Sequence, residues 1–133
     1  MMSKPTAVIE GQDWKEELPA SVEVVRAIVR TADIAGDFEF AIRQPDGTRL
    51  LALALKKEWT LKIFGPNGND GARAVRRDSG LAGTVQYWTM IRALRSSKHT
   101  IFSAPEAERI VLEFLAYGTR PKQADWINFP PKA

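Results

Sequence analysis

The sequence predicts an α+β domain: an antiparallel sheet of about five to six strands, with an N-terminal helix and a C-terminal amphipathic helix packed on it. Three observations predict this. Alternating apolar and polar residues recur in the first half of the chain, turn-forming residues separate the alternating runs, and a capped stripe at helical spacing follows near the end.

Residues 10–19 (EGQDWKEELP) are acidic with one large aromatic, Trp14, and stop at Pro19. They read as a surface segment, so residues 1–19 are set apart as an acidic arm and residues 20–133 as a single domain. From Ser21, apolar Val22, Val25 and Val29 recur at helical spacing with Val24 and Ile28 alongside, and Pro19 is tolerated near a helix start because its missing N–H is not needed there. The expected helix covers about 20–32.

From Asp37 to Gln44, Phe38, Phe40 and Ile42 alternate with Glu39, Ala41 and Arg43, the period of a half-buried strand, and Pro45-Asp46-Gly47 supplies a turn. Strands at 48–55 and 59–64 complete a meander through the polar break Lys56-Lys57-Glu58, with Trp59, Leu61 and Ile63 on one face. Gly65 to Gly71 (GPNGNDG) is a loop, since three glycines and a proline preclude a regular element. Residues 72–78 and 84–95 read as two further strands, the second also compatible with a short helix.

The last helix is the clearest. Ser103 and Glu106 are spaced as a capping box, the hydroxyl and the carboxylate each satisfying an amide that a helix start leaves open. Ala107, Ile110, Val111, Phe114 and Leu115 then form one apolar stripe, and Gly118 is placed for the left-handed conformation after the final turn. The expected span is 104–117. After Pro121, the run from Gln123 to Phe129 alternates again and ends at Pro130-Pro131, which predicts a closing strand.

Composition bounds the function. The chain has 133 residues, a formal charge of +3, one histidine and no cysteine. Thiolate chemistry, disulfides and Cys-ligated metals are excluded. The first eight residues lack the apolar run of a secretory signal, and no apolar stretch approaches the length of a membrane span, so a cytoplasmic protein with no membrane partner is expected. Charge is uneven: residues 1–47 hold 5 basic and 9 acidic groups, residues 48–98 hold 10 and 3, and residues 99–133 hold 4 and 4. The basic middle keeps a nucleic-acid-binding or regulatory domain as the alternative reading, using Arg73, Arg76, Arg77, Arg92, Arg95 and Lys98 on phosphates with Tyr87 or Trp88 for stacking.

Enzymatic constellations fail for lack of parts. His99 lies near Ser96, Ser97 and Thr100, but no nucleophile elbow accompanies it. Asn67-Gly68-Asn69-Asp70-Gly71 lacks the spacing and terminal Glu of a calcium loop, and also the Gly-Lys-Ser/Thr ending that cradles phosphate. Glu106, Glu108 and Glu113 share the final helix, where Glu106 is a cap and the others fit a solvated flank. No metal, cofactor or catalytic residue is expected.

The last third is more specific. Ile101-Phe102-Ser103-Ala104-Pro105, then Glu113-Phe114-Leu115, then Gly118-Thr119-Arg120-Pro121 and Trp126 together resemble the Imm1 family, immunity proteins encoded beside bacterial polymorphic toxins. The family turn reads T-G-x-R-P; here it is Y-G-T-R-P, with Tyr117 before the glycine and the threonine after it. The match is sharpest over residues 101–126. Each matched residue also has a structural reading: Ser103 and Glu106 cap, Gly118 ends the helix, Arg120 pairs with Glu113 or the last carbonyls, Pro121 blocks continuation, and Trp126 lies on the Phe114 and Leu115 stripe.

The resemblance implies a non-enzymatic protein that binds a cognate toxin domain, deaminase-like or nuclease-like, and occludes its active site or the approach of its substrate. Excluding a nucleic acid from a basic cleft calls for acidic groups around an apolar anchor. Glu10, Asp13, Trp14, Glu16 and Glu17 have that composition and are the first candidate contact set. The second is Asn67, Asn69, Asp70, Arg73, Arg76, Arg77, Arg92 and Arg95, facing an acidic toxin surface.

Overall fold

A computed structural model describes residues 6–11, 17–68, 70–77 and 98–129. The protein is α+β. Among the described residues its antiparallel sheet has seven strands, slightly more than the five to six expected: β1 (Val8–Gly11), β2 (Leu18–Pro19), β3 (Asp37–Arg43), β4 (Arg49–Leu55), β5 (Glu58–Phe64), β6 (Ala72–Val75) and β7 (Asp125–Asn128), in the order β2-β1-β3-β4-β5-β6-β7. Helices α1 (Val22–Ala35) and α2 (Ala104–Tyr117) pack on one face, α1 on β3 and against α2, and α2 on β4 and β5.

Cross-strand register builds the core. Ile9, Ile42, Leu50, Ile63 and Ala72 form one row across five strands, and Phe40, Ala52 and Leu61 form the next. In β4 the small Ala52 and Ala54 lie between larger neighbours, so Phe40 and Trp59 meet edge-on with ring centroids 6.1 Å apart. Val25, Val29 and Ala32 of α1 and Ala107, Ile110, Val111 and Phe114 of α2 close the core from above.

Both helices are capped by side chains. Ser21 accepts from the Val24 N–H at 3.2 Å, and α1 runs to Ala35, three residues beyond the expected end, where Gly36 at φ 90° stops it. Pro19 belongs to β2 rather than to the helix start. In α2, Ser103 and Glu106 form the expected capping box and Gly118 takes the left-handed conformation, φ 72° and ψ 7°.

Several expectations need correction. Residues 8–11 and 18–19 form β1 and β2, the outer strands of the sheet on that side: Ile9 is fully buried, while the described residues from 10 to 19 are half-buried or exposed. A four-residue strand with one buried side chain is too short to display a period. The strand expected at 72–78 ends at Val75, because the Arg76 N–H turns to the His99 carbonyl at 2.7 Å instead of continuing the ladder. Arg120 does not pair with Glu113; its Nη2 donates to the Asp70 carbonyl at 3.4 Å, while Glu113 accepts from the Lys122 N–H and from Gln123 Nε2 at 3.4 Å. Trp126 packs against the core cluster and donates its Nε1–H to the Pro121 carbonyl at 2.8 Å. The strand expected at 84–95 lies outside the described residues. Among the described residues, no helix is long and apolar enough to cross a membrane.

Candidate partner-binding surface

Three turns meet at one end of the sheet: the β3–β4 hairpin at residues 44–48, the β5–β6 loop at 65–71, and the turn after α2 at 117–121. The hairpin turn is fixed by Asp46, whose carboxylate accepts from the Thr48 N–H at 2.9 Å; that bond holds the Asp46 carboxyl below its ordinary value. Gly47, at φ 96°, lies so close to the neighbouring loop that an added Cβ would sit 3.0 Å from the Pro66 carbonyl oxygen. Gln44 ties the same hairpin to the helix end: its Nε2 donates to the Phe114 carbonyl at 2.8 Å, which also accepts the Gly118 N–H, and to the Leu115 carbonyl at 3.3 Å, in the last turn where a helix leaves carbonyls open. The Arg120–Asp70 bond joins the third turn to the loop. The loop itself is anchored at Gly71, where an added Cβ would fall 2.7 Å from both the Phe64 and Phe129 rings, which stack at 6.0 Å.

These bonds brace the turns through the Gln44, Asp46 and Arg120 side chains and leave the Tyr117 ring outward. Tyr117 is 75 % exposed. Asp46, Asn67, Asp70, Thr119 and Arg120 are exposed beside it, whereas Pro121 is buried. Between the loop and the last turn lies a cavity of about 270 Å³ lined by Ile63, Phe64, Thr48, Thr119, Asp70 and Arg120, with Gly65 completing it. A large aromatic and an arginine on a pre-formed turn are the residue types that dominate interface energetics, and bracing lowers the ordering cost of association.

The first candidate set is placed differently. Glu10 and Glu17 come together on the helix-free face of the sheet, but around arginines: Arg43 pairs with Glu10 and, through Nη2 at 2.6 Å, with Glu17, and Arg49 Nη2 reaches Glu10 at 3.1 Å. Its hydrogen bond to Glu17, then the charge of Glu10, raise the Arg43 pKa. Four charges cancel in this network, so it is not an acidic patch. Asp13, Trp14 and Glu16 lie outside the described residues.

The second set divides. Asn67 and Asp70 are on the braced turns, Arg73 lies in β6 opposite Lys62 and Ile127, and Arg76 and Arg77 follow β6 at the far end of the sheet. Arg76 forms a two-pronged ion pair with Glu106, Nη1–Oε1 3.0 Å and Nη2–Oε2 2.6 Å, and its guanidinium lies 5.6 Å from the Phe102 ring centroid. This pairing, with Ser103 as second partner, pulls the Glu106 carboxyl down to about 2. Asn69, Arg92, Arg95, Tyr87 and Trp88 lie outside the described residues. His99 lines an open cleft of about 640 Å³ at this far end with Lys57, Arg76 and Phe102. Among the described residues, no three His, Asp or Glu side chains gather as a metal-holding group.

Sequence reasoning missed Tyr117 and Asp46 as candidates. Tyr117 carried a usable signal: it is an aromatic one turn beyond Phe114, at the last position of the helix and directly before the glycine that ends it. No known protein-family model matches the chain, and no curated protein matches it.

Proposed function

We propose that this chain is an immunity protein of the Imm1 type, which acts in the cytoplasm by binding a cognate bacterial toxin domain and occluding its active site or substrate approach, with no chemistry of its own. One observation carries the reading. The segment from Ser103 to Trp126 that resembles the family folds as a self-consistent helix and turn, and it holds Tyr117 and Arg120 outward on a backbone braced by two neighbouring turns. Ser103, Glu106 and Gly118 bound the helix as expected, whereas Arg120, expected to pair with Glu113, reaches the Asp70 carbonyl instead and is exposed beside Tyr117.

The nucleic-acid reading is less well supported. Among the described residues its arginines do not form a stripe, and Arg76 is neutralised by Glu106. The test is co-expression with the product of the adjacent reading frame in a host lacking this chain. Restored growth together with a purified one-to-one complex is the expected result. An adjacent product that harms no cell, or harm that this chain does not relieve, overturns the proposal.

A further inference from the structure

The cavity at the braced turns is smaller than the ~300–1,000 Å³ of small-molecule sites, at about 270 Å³. Its size suits one side chain rather than a free ligand. Ile63 and Phe64 supply apolar lining, and Tyr117 stands exposed on the same turn as Thr119 and Arg120. Two carboxylates stand against one guanidinium here: Asp70 and Arg120 line the cavity, and Asp46 lies two residues before the lining Thr48. Asp46 and Asp70 are both exposed, and among the described residues neither carboxylate is in an ion pair: Asp46 is held by neutral groups, the Thr48 N–H first, and Asp70 uses its backbone carbonyl, not its carboxylate, to hold Arg120. Among the described residues, Arg120 is the one cation in the lining.

We propose that this cavity receives a single aromatic side chain carried on a basic segment of the partner protein, with Asp46 and Asp70 meeting the flanking cations. The inference rests on the toxin-binding reading and deepens it. An apolar anchor slows dissociation, and the two carboxylates accelerate encounter with a basic surface such as a cleft that holds nucleic acid. Both carboxylates sit where an isosteric change is safe. Asparagine at position 46 keeps an oxygen for the Thr48 N–H, and at position 70, where φ is 55°, asparagine tolerates the left-handed backbone.

The test uses two tripeptides, acetyl-Lys-Trp-Lys-amide and acetyl-Glu-Trp-Glu-amide, titrated into the full chain labelled with ¹⁵N. The basic peptide is expected to shift the amides of Thr48, Gly65 and Thr119 saturably in the millimolar range. The Asp46→Asn, Asp70→Asn double variant, folded by its own spectrum, should bind it ~5-fold or more weakly, and raised salt should do the same. Equal binding of the acidic peptide, shifts centred elsewhere, or no saturable shift overturns the assignment. Failure here with intact rescue by co-expression removes this pocket alone. Binding here without rescue removes the immunity reading and leaves a site for basic peptides.

Discussion

Arg76 and Glu106, thirty residues apart, are joined guanidinium to carboxylate by two parallel hydrogen bonds, and the same carboxylate accepts the Ser103 N–H at 3.0 Å. The pair fastens the end of β6 to the start of α2. Because the folded Glu106 carboxyl is held at about 2 against an ordinary 4.5, it contributes stability that is present above pH 4.5 and lost as pH falls through 2. A shift of that size is worth at most ~3 kcal/mol. With the carboxylate side chain 31 % exposed, screening reduces this to about 1–2 kcal/mol. Glu106→Gln should therefore be destabilised by that amount in urea unfolding at pH 7, with the gap to the wild type closing between pH 4.5 and 2. A gap that does not change with pH contradicts this account.

The glycines of the braced turns differ in what they tolerate. Alanine at Gly71 meets two stacked rings at 2.7 Å, and overpacking of this kind costs ~1–3 kcal/mol. Alanine at Gly118 meets only Gln44 at 3.5 Å, an ordinary contact, and bears the left-handed backbone alone, about 1 kcal/mol. Thermal unfolding should rank the two variants in that order, and the reverse order would contradict the packing described at Phe64 and Phe129.

The β4–β5 hairpin turns on Lys56 and Lys57, both at positive φ, 52° and 67°. A two-residue turn of this form favours Asn-Gly, and a left-handed side-chain residue costs ~1 kcal/mol. The Lys56 N–H bond to the Asp37 carboxylate at 3.1 Å survives substitution of the side chain. Lys56→Asn with Lys57→Gly should stabilise the protein by about 1 kcal/mol and raise Tm by a few degrees. A lower Tm would show that the lysines make contacts that outweigh the strain.

Arg43 separates two carboxylates that are neighbours on the sheet face. In a double-mutant cycle, Arg43 should couple more strongly to Glu10, whose side chain is 22 % exposed, than to Glu17 at 48 %. The larger coupling is expected at ~1 kcal/mol or less. Substituting Glu10 or Glu17 should move stability and leave partner affinity within a factor of about two; a large loss of affinity at unchanged stability would restore these carboxylates as a contact set.

Local signals made much of this fold legible. Ser103, Glu106 and Gly118 state the bounds of α2 because capping acts within four residues, and β3, β4 and β5 alternate over seven residues each, long enough to display a period. What was hidden depends on distance along the chain. Glu10 reads as part of an acidic run until Arg43 and Arg49 are brought beside it by the β1–β3 and β3–β4 registers, and Arg76 reads as a free cation until α2 presents Glu106. The candidate surface was hidden for the same reason: its three turns are separated by some 20 to 70 residues, and it is the Gln44, Gly47 and Arg120 contacts that unite them.

The central claim, that the braced turns seal a toxin by surface fit, is tested most directly by the Kd of the purified complex with the adjacent frame's product. Tyr117→Ala with Arg120→Ala, compared with the wild type at matched thermal stability, should weaken binding by ~30-fold or more, as expected when interface anchors are removed. An unchanged Kd for that variant would place the interface elsewhere on the molecule and contradict the account.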